Sequence, residues 1–377
     1  MTSPWGIVLV VVVVYLVVRV PRISPGPMSD HDMPTILAEL EADHSLAAVL
    51  SWFTGSWVQD DMYYRPLSSL VHWANFMLAD DDGFYWRLVN ALIIAATMPA
   101  LVWMFAVGFG RPWAGVITAG LLPWFRPLDQ MVSFPAWRTE LLSALFLILA
   151  TGAGLSYLRE GRRQRLIFML AMLLVALGFK EVSFAWPAFF AVACLFVRRD
   201  LRTVKAIGGA FGLAAAVWLM RVHFLGHPLL GAPIRHVDFP LARQLEVFVR
   251  MLFAPVYEHI VMVYPTLAES WYFLLSRRFY EAVFLDLLFI FVNVVLLLRA
   301  PRVLGVIWVW RIILYLPSMP FANIFPFYLY IPIVGTVMLY GVAFEEVARM
   351  LCRRYAVWLR ERGLKVNSKP KDAEALC

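Results

Sequence analysis

The sequence predicts an all-α, polytopic membrane protein with about ten transmembrane helices and both termini on the cytoplasmic side. Composition is the first reason. The 377 residues are 62% hydrophobic and 16% charged, with a mean hydropathy of +0.72, whereas soluble chains sit near half apolar and a quarter charged. The second reason is repetition, because runs of roughly 20 apolar residues, enough to cross a hydrocarbon core of about 30 Å, recur along the chain. The third is where the cations lie. The formal charge of +7 comes from Lys and Arg in short loops between apolar runs, a spacing that reports membrane topology and argues against a nucleic-acid surface. The 15 Trp, 14 Tyr and 28 Phe suit the two membrane interfaces.

Apolar segments fall near 5–20, 86–108, 112–125, 140–158, 165–179, 182–197, 205–223, 281–298, 303–318 and 326–344. One set of connecting loops holds Arg111, then Arg159, Arg162, Arg163 and Arg165, then Arg198, Arg199, Arg202 and Lys205. Arg299, Arg302 and a tail with Arg349, Arg353, Arg354, Arg360 and Arg362 join the same side, which the positive-inside rule makes cytoplasmic. Arg19 and Arg22 follow the first span on the opposite side, and the later loops outvote them. A cleaved signal peptide is the alternative for this segment. It lacks a charged leading region and a small-x-small site, so an uncleaved anchor is the expectation.

Residues 1–345 therefore read as one membrane domain and 346–377 as a basic cytoplasmic tail. The larger polar material faces outward. It comprises a first outer loop over 21–87, with a helix-like stretch at Ile36–Phe53, and an outer helical region over 223–281. Cytoplasmic loops are too short for a catalytic site, so any chemistry should face outward. Cys194, Cys352 and Cys377 all fall on the reducing side, and no disulfide framework is expected. No nucleotide-binding loop, zinc pattern or nucleophile elbow is present.

In such a chain the informative residues are ionisable groups at membrane depth. Lys180–Glu181 separates two apolar runs with hardly any loop. It is either a self-neutralising hairpin tip or a cation that meets an anionic headgroup. Arg138-Thr-Glu140 opens a span on the same side, where Glu140 suits a helix N-terminus. Arg311, inside an apolar run, should point into the bundle. Among the acidic residues of the first outer loop, Asp30 and Asp32 come about ten residues after the first span. A carboxylate held there could take the proton of an acceptor hydroxyl. No cofactor is demanded; the acidic loop could hold a divalent cation, since hard cations prefer carboxylate oxygens, but no ligand spacing requires one.

Five motifs occur in order: Tyr64-Arg-Pro-Leu-Ser-Ser-Leu70 continuing to Asn75, Arg87-Leu-Val-Asn90, Arg138-Thr-Glu-Leu-Leu142, Lys180-Glu181 with Pro187 beyond, and Tyr328-Leu-Tyr-Ile-Pro332. Together they resemble the Y-R-P-L, H-L-V-N, G-R-K-D-L-L, S-K-E and Y-L-Y-L-P series of GT-C integral membrane glycosyltransferases. The subgroup the sequence looks like is the protein O-mannosyltransferase type that often carries tetratricopeptide repeats. The likeness covers about residues 60–335. It departs from that pattern at Arg126-Pro-Leu-Asp-Gln130, where the family has H-P-x-H-x-E, and at Phe327, where it has Arg.

The resemblance implies a sugar moved from a polyprenyl-phosphate donor to a hydroxyl of a protein, lipid or glycan acceptor, with inversion, on the non-cytoplasmic face. Asp30 or Asp32 would be the base, although the family's adjacent Asp-Asp is Asp-His-Asp here. Arg138 and Lys180 would hold the donor phosphate and Arg65 would order the first loop, with Glu181, Arg126 and Arg311 as possible support. Two other readings fit the same cationic groove: a transporter or flippase for a lipid-linked sugar, and a catalytically inactive relative.

Overall fold

The computed structural model describes residues 3–26, 28, 32–56, 63–125, 131–226, 277–318 and 330–362. Among them are thirteen α-helices and no strand. Ten of the helices fall on the ten apolar runs: α1 (Pro4–Arg19), α5 (Gly83–Met104), α6 (Pro112–Leu121), α7 (Arg138–Glu160), α8 (Arg163–Phe179), α9 (Trp186–Val197), α10 (Leu201–Leu225), α11 (Arg277–Arg299), α12 (Pro301–Ile313) and α13 (Tyr330–Glu361). Five stretches are individually long and apolar enough to cross a membrane: Pro4–Arg22, Gly83–Phe109, Pro135–Glu160, Leu201–Leu225 and Tyr330–Leu359. The others are shorter helices packed among them.

Local chemistry starts these helices where the apolar runs start. The Ser3 hydroxyl accepts from the Gly6 amide at 3.1 Å ahead of Pro4, and Asp82 accepts from the Phe84 amide at 2.8 Å. Asp200 and Thr203 form a reciprocal capping box on α10. α5 then continues past Met104 through a π-helical turn, Phe105–Phe109.

The core is the α7–α8 hairpin with α5 and α6 beside it. α13 lies along α6, α9 along α12, and α1 along α5 and α6. Gly341 on α13 sits where a Cβ would collide with Thr118 on α6, so only glycine allows this approach. α1 carries Leu9, Val10, Val13, Val14 and Val17 exposed on its surface, a stripe of the kind that faces lipid. This helix packs on α5 and α6.

The loops sort to opposite ends of the bundle as their charge patterning predicts. At the basic end Arg111 donates to Glu345 at 3.0 Å and pairs with Glu346 at 2.5 Å, while Arg349 donates to Glu345 at 2.9 Å. There too Arg159 donates to the Val107 carbonyl and Arg198 to that of Leu158. α13 is a single 32-residue helix, so the last expected span and the start of the expected tail are continuous.

The opposite end carries α2 (Met33–Ala42), α3 (Leu46–Ser51) and α4 (Pro66–Ala79). The helix-like stretch expected at Ile36–Phe53 is two helices. Between them the Asp43 carboxylate accepts from the Ser45 amide at 2.9 Å, which holds Asp43 below the usual carboxylate range. A second small core forms there from Met33, Ile36, Leu40, Trp86 and Ala136. The outer helical region expected over 223–281 lies almost wholly outside the described residues.

Candidate functional site

The end of the bundle away from the basic loops gathers five ionisable residues from four elements, four of them buried and Glu181 partly so. Arg65 precedes α4, Glu140 is in the first turn of α7, and Lys180 and Glu181 fill the turn between α8 and α9. Arg221 lies near the end of α10. Pro66 starts α4 immediately after Arg65, and Ser68 donates to the Phe179 carbonyl at 2.9 Å, tying that start to the Lys180 turn.

Lys180 and Glu181 do not neutralise each other as a hairpin tip would. Lys180 is in extended backbone and Glu181 opens a 3-10 turn, and each finds its partner on another element. Lys180 donates to Glu140, whose second oxygen accepts from the Thr139 hydroxyl at 2.6 Å. Glu181 accepts from Arg65 Nε at 2.9 Å and Nη2 at 2.5 Å, a bidentate pair. Arg65 also lies over the Tyr63 ring at 4.2 Å. The turn is held from beneath by Ser183, whose hydroxyl bonds to Ser143 at 2.8 Å and to the Ala176 carbonyl at 3.0 Å.

Arg221 joins this group and escaped the sequence reading. It is 1% exposed and within electrostatic reach of Glu181, Arg65 and Tyr63. Its neighbour Phe224 stacks on Tyr64 at 5.8 Å, binding α10 to the Arg65 segment. The signal was available, since Leu219-Met-Arg-Val222 is an arginine within an apolar run, which the cost of intramembrane charge makes conspicuous.

Arg138 sits on a different side of the same end. Its Nε donates to Asn90 Oδ1 at 3.0 Å and its Nη2 to the Trp86 carbonyl at 2.8 Å, with its guanidinium 5.1 Å from the Trp86 ring. Asn90 in turn donates to the carbonyls of Met131 and Phe134. Against Trp86 stacks His72, 5.8 Å between ring centroids. Burial and the Arg138 charge keep His72 well below the ordinary imidazole value, so it is neutral at pH 7.

The loop expected to carry the base is fastened to this side. Arg87 Nη1 donates to the carbonyls of Ser24 and Gly26, both at 2.7 Å, and its Nε to that of Ser133 at 3.2 Å. Gly83 permits the crossing, because a Cβ there would collide with the Gly26 carbonyl. Asp32 precedes α2, next to Met33 in the small core around Trp86. The structure thus puts Arg65, Lys180, Glu140, Glu181 and Arg221 together, and Arg138 and Asp32 on the Trp86 side.

Arg311 is buried, as its apolar surroundings require. It lies over the Trp308 ring at 4.6 Å and the Phe289 ring at 5.1 Å, against Gly335 of α13. Asp30, Arg126 and Phe327 lie outside the described residues. Among the described residues no group of three His, Cys, Asp or Glu could hold a metal ion.

Fold and cluster together define a class: a multi-pass helical membrane protein with the GT-C fold and buried cations at one end of its bundle. The solved structure of ArnT from Cupriavidus metallidurans bound to undecaprenyl phosphate is similar to it, with a TM-score of 0.54 at 18% identity. The match covers 90% of this chain, which spans 60% of ArnT's length. No family model matches the chain, and no curated protein matches it significantly.

Proposed function

We propose that the chain is a glycosyltransferase that takes a sugar, of the hexosyl or mannosyl class, from a polyprenyl-phosphate donor and transfers it with inversion to a protein or glycan hydroxyl. The reaction is placed on the non-cytoplasmic face, at the end of the bundle opposite the basic loops. The observation that carries this reading is the convergence of Arg65, Lys180 and Arg221, all buried, where a membrane-borne phosphate would arrive. That ArnT, of similar fold, was solved with undecaprenyl phosphate supports the same ligand class.

The chemistry suits these residues. Departure of the sugar leaves a phosphate monoester carrying new negative charge, and fixed cations in a water-poor site stabilise that charge as it develops. Lys180, Arg65 and Arg221 hold the phosphate in this account, and Arg138 bounds the site on the Trp86 side. Glu140 and Glu181 keep the cations in place while the site is empty. Asp30 or Asp32 takes the proton of the attacking hydroxyl, and Arg87 fastens the loop that carries them.

The test is transfer from a panel of radiolabelled polyprenyl-phosphate sugars by the purified protein in lipid, compared with Asp30→Asn and Asp32→Asn. The expected result is transfer by the unaltered protein and loss in one Asp variant that still binds donor. Donor binding without cleavage by the unaltered protein would overturn the enzyme reading.

A further inference from the structure

The proposed sugar transfer gives the basic end of α13 no task. At 1.5 Å per residue its 32 residues run about 48 Å, against about 30 Å for a hydrocarbon core. Roughly the last dozen residues therefore lie beyond the acyl chains. Packing agrees with this arithmetic. Side chains are buried up to Ala343 and Glu345, and from Leu351 onward none of the described ones is. The ties among Arg111, Glu345, Glu346 and Arg349 mark the level at which the helix leaves the core.

Past that level the helix exposes Leu351, Tyr355, Val357 and Trp358 at 58, 61, 51 and 41%. Exposed apolar side chains along the bundle, such as Leu297, have lipid tails to cover them. These four do not. Leu351, Tyr355 and Trp358 follow i, i+4, i+7 spacing and form one stripe, with Arg353 opposite. Tyr355 stacks on Trp358 at 5.8 Å, and the Arg362 guanidinium lies 4.3 Å from the Trp358 ring. Arg353 and Arg354 are exposed.

We propose that this stretch, 350–362, is a docking surface for the anionic phospholipid headgroups of the leaflet at the basic end. The arginines meet lipid phosphates while the Leu351, Tyr355 and Trp358 stripe lies against the headgroup layer, beyond the acyl chains, as basic juxtamembrane segments do on charged membranes. Charge complementarity favours lipid over the segment that follows in this sequence. Positions 363–377 hold Lys365, Lys369 and Lys371 against Asp372 and Glu374, so they offer no surplus of negative charge.

Hydrogen–deuterium exchange of the full protein in nanodiscs tests this, with the buried part of α13 as an internal reference. Amides over 351–362 are expected to exchange about tenfold more slowly in phosphatidylglycerol-containing discs than in phosphatidylcholine discs, each basic residue near the surface contributing. High salt, or Arg353→Gln with Arg354→Gln, should abolish the difference while the reference amides stay protected. Equal exchange in both lipids would overturn the proposal, as would protection that appears only when an acidic protein is added.

Discussion

Replacing Glu140 by Gln tests the buried ion pairs most sharply. Glu140 is 3% exposed and Lys180 is 7% exposed, so the pair is shielded from water on both sides. The amide keeps the shape and still accepts from the Thr139 hydroxyl, which confines the change to one charge. Lys180 is then left buried with Arg65 nearby and its carboxylate gone. Removing one partner of such a pair costs about 3–5 kcal/mol, because the remaining charge stays desolvated. Replacing both, as Glu140→Gln with Lys180→Met, removes the stranded charge and should cost under about 1.5 kcal/mol. Thermal unfolding of purified protein in nanodiscs reads the difference. The single variant should unfold at a clearly lower temperature than the double. Equal losses, or a single variant within about 1 kcal/mol of the unaltered protein, would refute the claim that a dry Lys180–Glu140 pair holds the turn. Added polyprenyl phosphate should rescue the single variant in particular, since an anion there replaces the missing carboxylate.

His72 is kept neutral by burial beside Arg138, so protons favour the unfolded chain; stability should fall below about pH 6.5, by up to about 1.4 kcal/mol per pH unit. A His72→Phe variant should flatten that slope in an unfolding series across pH. Arg87→Ala removes the contacts to the Ser24 and Gly26 carbonyls of the first outer loop and should speed proteolysis near residues 24–32 while transfer drops; unchanged cleavage would deny Arg87 its fastening role. Arg111→Ala removes the Arg111 pairs of Glu345 and Glu346 at the basic end, leaving Glu345 to Arg349, and should cost about 1–3 kcal/mol in the same unfolding assay, with donor affinity untouched.

The ten apolar runs became ten helices because in a bilayer a long apolar segment has few alternatives to a helix that satisfies its own backbone. Charge in the loops likewise sorted the two ends, since it acts locally. What the sequence could not display was pairing across distance. Lys180–Glu181 reads as a neighbouring pair, yet each residue is joined to a partner 40 or 116 positions away. Arg111 served as a topology marker while its partners Glu345 and Glu346 lay 234 and more positions on. Arg221 was legible in principle, a guanidinium inside an apolar run, but its value depends on Glu181 and Arg65, which only the fold brings near. The five ordered motifs pointed to the GT-C fold, and four of them supply residues that meet at one end of the bundle.

Binding of a polyprenyl monophosphate to the purified protein, with and without Arg221→Gln, tests the central claim most directly. Losing a charged hydrogen-bond donor to phosphate is worth about 1.5–3 kcal/mol, so affinity should fall roughly ten- to a hundredfold in a variant whose folded structure is intact by unfolding temperature. Equal affinity in the folded variant, or no binding by the unaltered protein, would contradict a phosphate site at this cluster.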